Sequence, residues 1–404
     1  MSMVTTTNVM ADEAKKILQV YRRNPVVFER GDGCRLFTAE GRSYLDLISG
    51  VGVAALGHGH PKLAAAIGAQ AGELLHTSNL FFHPLQSEVA THLTALSGMD
   101  RAFFCNSGAE AIEACLKFAR RYWHAQGAPR KGFIAFEGSF HGRTMGALSV
   151  TWDAHYRAPF APLVADVTFV PVDDPGALHA ALSSDTAAII VEPIQGEGGV
   201  RPMGQQVADA IREGCARTGA LLIADEVQCG LGRTGRPFYS GALGLRPDLM
   251  AVGKALGAGV PVAAALFTEK VAAVAAFGDH GSTYGGNLLA CRAALVFLEE
   301  LTQHGLMEHV AEVGRHAGTS LRAMADRLPA VRDVRGAGLI WGIDLDRPAA
   351  PVVEAALERG LLINRTSDTV IRLLPPYIIT PAEFDEGVAH LEAAIASCTE
   401  GSRA

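Results

Sequence analysis

The sequence predicts an α/β fold: a mainly parallel sheet flanked by helices, with a smaller α+β lobe formed by both chain ends. Between about residue 100 and residue 300, short apolar runs alternate with helical patterns. The runs are continuously hydrophobic rather than alternating, which marks strands covered on both faces. Before residue 50 and beyond about 303 the pattern changes to a hairpin and to mixed helix and strand. At 404 residues the chain is long enough for a large domain and a lobe.

Taken in order, residues 11–23 read as an amphipathic helix, and 35–38 with 44–47 as a hairpin about Glu40-Gly41. Residues 50–59 are rich in Gly and His, and Pro61 opens a helix whose first turn needs no N–H from it. Strands are expected at 102–105, 133–136, 167–170, 187–191, 220–224, 249–252 and 262–267, with a long helix over 109–124. The helix 287–302 leads out of this region. Then come a helix at 307–326, a strand at 334–345 broken by Gly336-Ala337-Gly338, and a terminal helix at 380–397. The expected division is a large domain, 51–302, and a small one built from 1–50 and 303–404. No internal repeat or low-complexity linker appears.

Composition narrows the function classes. A formal charge of −7 gives no basic surface for nucleic acid. The seven cysteines are scattered without a CxxC pair, as free thiols of a reducing compartment are. Met1 to Met10 is polar, so neither export nor organelle import is indicated, and no run reaches the roughly 18 apolar residues of a membrane helix. The expectation is a cytoplasmic protein without membrane or nucleic-acid partners.

Lys254 is the residue out of place. It lies between the apolar runs 249–252 and 262–267, in a stretch of small residues that includes Gly253, Gly257 and Gly259. Desolvation there lowers an ammonium's pKa and favours a nucleophilic amine. The glycines leave room for a flat group to approach the backbone. A lysine snorkelling from a strand end is the competing reading. A phosphate-loop lysine is excluded, because Asp248 and Ala255 stand where that motif needs Gly and Ser or Thr.

Other polar groups follow strands, where ligands bind in such sheets. Asp225 could cap a helix, hold a metal or pair with a cationic ring nitrogen. Residues 227–230 add no convincing metal ligand. Pairing with the pyridine nitrogen of pyridoxal phosphate fits best, since a carboxylate keeps that ring protonated and electron-accepting. Asn106-Ser107-Gly108-Ala109-Glu110 opens the helix after 102–105. Its backbone either receives a phosphate on Ser107, Gly108 and Ala109 or is simply capped by Asn106 or Ser107. In Phe140-His141-Gly142-Arg143-Thr144 an aromatic can stack on a ring and an arginine can grip a carboxylate. Glu192 and Glu197 add acids at the same edge, and Ser282-Thr283 add hydroxyls in a glycine-rich loop. Arg372, inside the apolar run 370–374, needs a salt-bridge partner or a ligand.

These motifs, in this order, resemble the class III pyridoxal-phosphate aminotransferases, most closely the acetylornithine and ornithine aminotransferase branch. The likeness runs from Phe28-Glu29-Arg30-Gly31 to the last helix and includes Val-Glu-Pro-Ile-Gln-Gly-Glu-Gly-Gly (191–199), Asp-Glu-Val-Gln (225–228) and Gly-Arg-Thr-Gly (232–235). It implies a fold type I homodimer with shared active sites and pyridoxal 5′-phosphate as cofactor. Lys254 would be the Schiff-base lysine, Asp225 the ring-nitrogen partner, Phe140 and Val227 the packing on the two ring faces, and Gln228 the contact to the ring hydroxyl. Ser107, Gly108 and Ala109 would hold the phosphate, with Thr283 reaching it from the other subunit. Arg143 would bind the substrate carboxylate, with Ser282 nearby. Glu197 would pair with Arg372 while the amine donor reacts and swing away for glutamate. No metal is implied.

The reaction implied moves the terminal amine of N2-acetyl-L-ornithine to 2-oxoglutarate, as in arginine biosynthesis. Ornithine, succinylornithine, 4-aminobutyrate or an acylated lysine are alternative donors. Ile112 and the apolar segment Phe81-Phe82-His83-Pro84 depart from the pattern of the branch, as does Ala263-Ala264 after the lysine loop. Pocket shape around the acyl group sets the donor.

Overall fold

The computed structural model describes residues 6–400 with the exception of Ala165; the polar stretch Met1–Met10 therefore lies partly outside the described residues. At its centre is a seven-stranded sheet in the order Arg101–Cys105, Ala263–Phe267, Leu249–Val252, Leu221–Asp225, Thr186–Val191, Gly132–Phe136, Val167–Val170. All strands run parallel except Ala263–Phe267, which is antiparallel to both neighbours. The central strands Thr186–Val191, Leu221–Asp225 and Leu249–Val252 are buried along their whole length. That is why their hydrophobicity is continuous.

Gly108–Ala125 shows how sequence becomes layer. Ser107 and Glu110 form a reciprocal capping box, and Ala111, Ile112, Cys115, Ala119 and Trp123 make one buried stripe. The indole N–H of Trp123 donates to the Ala187 carbonyl at 2.9 Å, so the stripe ends on a satisfied polar group.

A second sheet, antiparallel, contains Val331–Ala337, Ile340–Leu345, Val370–Leu373 and Asn364–Arg365. A third joins the chain ends: the hairpin strands Arg35–Phe37 and Ser43–Asp46 are extended by Leu361–Leu362, with Leu45 paired to Leu361. Among the described residues no helix is long and apolar enough to cross a membrane.

Two expected elements differ. The single strand at 334–345 is a hairpin, because Gly336 (φ 152°) and Gly338 (φ 54°) reverse the chain in conformations that side chains avoid. The first helix is Thr6–Lys16 rather than 11–23. The Gln19 amide donates to the carbonyls of Glu13 and Ile17 and ends it, and Leu18, Val20 and Tyr21 remain exposed.

Ser49, Gly50, Val51 and Gly52 form a left-handed turn with φ of 47°, 63°, 65° and 82°. Each non-glycine in that region costs about 1–2 kcal/mol. Buried Asp46 holds the turn by accepting from the N–H groups of Ile48 and Ser49 at 2.9 and 2.8 Å, and it also meets His58 at 2.9 Å. Asp46→Ala should lower unfolding stability by about 2–3 kcal/mol, measured by urea denaturation, because two backbone donors lose a charged acceptor.

Candidate active site

Register brings the polar groups together. Asp225 pairs with Ala251 and Ala224 with Val191, so Asp225, Glu192 and the turn after Val252 emerge at one sheet edge. Lys254 opens that turn with φ 44°, a conformation a non-glycine holds only when its surroundings impose it. A β-carbon on the preceding Gly253 would lie 3.6 Å from the backbone of Gly108, and one on Gly108 only 2.7 Å from a methyl of Val227. The lysine turn, the start of the long helix and Val227 are therefore in direct contact.

The Lys254 side chain is partly reached by solvent yet enclosed by protein. Burial and then the Arg372 charge hold its pKa below the ordinary lysine value, against the opposing pull of Glu197, Asp225 and Glu192. The result is an amine with a larger neutral fraction than a surface lysine has.

Asp225 is 5% exposed. One carboxylate oxygen meets His141 Nδ1 at 2.7 Å, and the other accepts from the Val227 N–H at 3.1 Å. His141 is itself buried, its backbone N–H donating to the Thr151 hydroxyl at 2.9 Å, and its Nε2 has no partner among the described residues. Glu192 accepts from the N–H groups of Phe140 and Gly196 at 3.0 and 3.2 Å. Burial pushes its carboxyl up to about 7, opposed by His141 and reinforced by Asp225.

Arg372, 1% exposed, finds the partner its sequence context demanded. It donates to Glu197 at 2.6 Å, to the Gln228 side-chain oxygen at 3.2 Å and to that of Asn364 at 3.4 Å. Burial alone would raise the Glu197 carboxyl, but the charge and hydrogen bond of Arg372 outweigh it and hold it below the usual range. Arg143 makes no such pair among the described residues. Its guanidinium lies 3.5 Å from the ring centre of Tyr156 and 5.4 Å from that of Phe140. Beside it, Phe140, Trp152, Asp153, Tyr156, Glu197 and Thr366 line a cavity of about 210 Å³.

Ser107 caps its helix, accepting from the Glu110 N–H at 3.3 Å, so the capping role suggested by the sequence is real. The Gly108 and Ala109 N–H groups, in the first turn, have no acceptor within the helix and suit an anion. Ser282 accepts from the Asn106 side-chain amide at 3.3 Å, and Thr283 is exposed. Among the described residues no cluster of His, Cys, Asp and Glu is placed to hold a metal ion.

An enclosed amine with a lowered pKa, a buried carboxylate on the adjacent strand and an open helix start suit an aldehyde-bearing pyridine phosphate. The profile of the aminotransferase class-III family matches residues 18–395. The chain belongs to that family. It is 46% identical to the acetylornithine aminotransferase of Archaeoglobus fulgidus, over 93% of this chain and 97% of that protein. Among solved structures, the ornithine aminotransferase of Toxoplasma gondii matches with TM-score 0.94 and 32% identity, over 99% of this chain and 96% of that one. That structure has partial occupancy of PLP at its active site. The N-acetylornithine aminotransferase of Stenotrophomonas maltophilia matches with TM-score 0.83 and 34% identity, over 97% and 100%. This class-III aminotransferase is PLP-dependent.

His141 and Tyr156 carry contacts that the sequence did not assign. His141 stands within the quoted Phe140–Thr144 motif, so its position was visible and only its partner was not. Tyr156 lies outside every motif, and no local signal identifies it. In this aminotransferase Asp225→Asn should keep the fold, since its carbonyl oxygen can still accept from His141. Turnover should fall by on the order of 10²-fold or more as the buried negative charge is lost, measured by single-turnover kinetics alongside circular dichroism.

Proposed function

We propose that the protein transfers the terminal amine of N2-acetyl-L-ornithine to 2-oxoglutarate, giving N-acetyl-L-glutamate 5-semialdehyde and L-glutamate. One observation carries this reading: of the two arginines, Arg143 makes no ion pair among the described residues while Arg372 is neutralised by Glu197. A donor with a single carboxylate, remote from the reacting amine, needs only Arg143. Glutamate carries a second carboxylate at the reacting carbon and needs Arg372 as well. The relative from Archaeoglobus fulgidus, similar over nearly the whole chain, supports this donor. The likeness to the Toxoplasma gondii enzyme makes ornithine the alternative.

In this reading Ser107, Gly108 and Ala109, with Thr283 of a second copy, hold the cofactor's phosphate. Phe140 and Val227 would pack against its ring, and Gln228 would contact the ring hydroxyl. When bound, PLP supplies a carbonyl for the incoming amine and a ring that takes up electrons. Lys254 would hold the cofactor, and its Nζ would move the proton from the substrate carbon to the cofactor. Asp225 keeps a proton on the ring nitrogen, with His141 fixing the carboxylate. Arg143 orients the substrate, with Ser282 nearby.

The same reading includes a homodimer. Leu80, Phe81, Phe82, Phe277 and Tyr284 are exposed around the loop that bears Thr283, and the Asn79 amide ties the first of these segments to the Ser282 carbonyl at 2.9 Å. A second copy would cover that apolar surface. The division into 51–302 and a smaller domain of 1–50 with 303–404 belongs to this proposal too.

Because the Glu197 pKa is lowered, the Glu197–Arg372 pair is intact above it and is lost only as pH falls through it. Arg372 is therefore released at neutral pH by movement of Glu197, not by protonation. Glu197→Ala should lower kcat/KM for the amine donor about tenfold or more relative to that for glutamate. Separate half-reaction measurements check it, and equal losses in both halves would sink the switch. A donor panel with acetylornithine and ornithine tests the substrate itself. Tyr156→Ala should raise KM for both substrates by about 2- to 30-fold, since a cation–π stack of about 0.5–2 kcal/mol holds the arginine used in both halves.

A further inference from the structure

Arg233 is fully buried, and among the described residues it makes no ion pair with a carboxylate. It arises from the loop after strand Leu221–Asp225, yet its partners lie elsewhere. The guanidinium donates to the carbonyls of Leu339 (3.2 Å) and Pro375, and it stands 4.3 Å from the ring centre of Tyr377. Its own carbonyl accepts from the Leu339 N–H at 2.9 Å. Antiparallel pairing of Trp341 with Leu373 sets Leu339 level with Pro375, so both partners lie just beyond the carboxyl end of strand Val370–Leu373, the strand that carries Arg372.

The segment that leaves Arg372 is gripped from the other side by the left-handed turn region. The Leu374 N–H donates to the Leu47 carbonyl at 2.7 Å, the Ser49 hydroxyl to the Leu374 carbonyl at 2.6 Å, and the Tyr377 N–H to the Ala55 carbonyl at 2.8 Å. A β-carbon on Gly52 would lie 3.7 Å from an Arg233 nitrogen, so the guanidinium closes this clamp. Burying a cation without a counter-charge is costly, and an apolar side chain would fill the volume more cheaply. Both hydrogen bonds come from one terminal nitrogen, Nη1, and what the planar guanidinium adds is two N–H directions fixed toward carbonyls on two separate segments.

We propose that Arg233 is a positioning residue for Arg372. By holding Leu339 and Pro375 together at the carboxyl end of the Arg372 strand, it sets where that guanidinium meets the α-carboxylate of glutamate and 2-oxoglutarate. The inference rests on the reading of Arg372 as the α-carboxylate site. It adds a specificity determinant that touches neither substrate nor cofactor.

The test compares Arg233→Lys, Tyr377→Leu and Arg372→Ala as PLP-loaded enzymes, with KM and kcat measured for each half-reaction. Arg233→Lys keeps the charge but loses the planar group that fixes the two N–H directions. It should raise KM for 2-oxoglutarate and glutamate about five- to tenfold while leaving both parameters for the amine donor within about twofold. Tyr377→Leu removes the ring face and the buried hydroxyl beside the guanidinium and should shift the same KM values about two- to threefold, which keeps the inference testable if Arg233→Lys fails to fold. A merely structural role would lower thermal stability and depress both halves alike, and that result overturns the inference. So does an unchanged KM for 2-oxoglutarate in the Arg233 and Tyr377 variants when Arg372→Ala raises it. If Arg372→Ala leaves that KM unchanged, the reading of Arg372 fails first and takes this inference with it.

Discussion

An amine enclosed among three carboxylates and a guanidinium is the constraint on which the rest of the structure depends. Lys254 feels Asp225, Glu192 and Glu197 on one hand and Arg372 on the other, with burial the largest influence of all. Charges this close in a poorly solvated space cannot be placed independently. Each ionisable partner is accordingly tied down by a second contact: Asp225 by His141, Glu192 by two backbone N–H groups, Glu197 by Arg372. Remove one tie and the others lose their balance.

The backbone around the amine is equally constrained. Val227 packs so closely on Gly108 that a side chain is excluded there, Gly253 lies against the same turn, and the Lys254 that follows it adopts a left-handed conformation. Strain of this kind persists only where neighbouring structure dictates it. Here the neighbours are two buried strands and the first turn of a long helix, the parts of the fold that the sheet itself makes rigid.

Much of this was legible in the sequence, for a physical reason. Strands buried along their whole length leave continuous apolar runs, and a lysine or arginine within or directly after such a run announces itself. Lys254 and Arg372 were found that way, and the capped helix start at Ser107 by its residue types. Contacts between distant segments left no local trace. The stack of Tyr156 on Arg143 and the pair of His141 with Asp225 depend on which loops the sheet brings together. The antiparallel direction of Ala263–Phe267 is likewise invisible, because an apolar run reads the same whichever way it lies. The helix expected at 11–23 failed differently: Ile17, Leu18, Val20 and Tyr21 stay exposed, and periodicity without a packing surface is weak evidence.

The pairing of Leu45 with Leu361 has a consequence for how the molecule comes into being. The hairpin 35–46 emerges early from the ribosome, but the strand that completes its sheet follows some three hundred residues later in the chain. Until then one edge of that hairpin stands open to any other extended peptide, and its closure must wait for nearly full-length synthesis. Such a long-range joint slows the search for the native topology. It also ties maturation of the amino-terminal segment to arrival of the carboxy-terminal one, so a chain cut short before residue 361 would lack the strand that seals its own beginning.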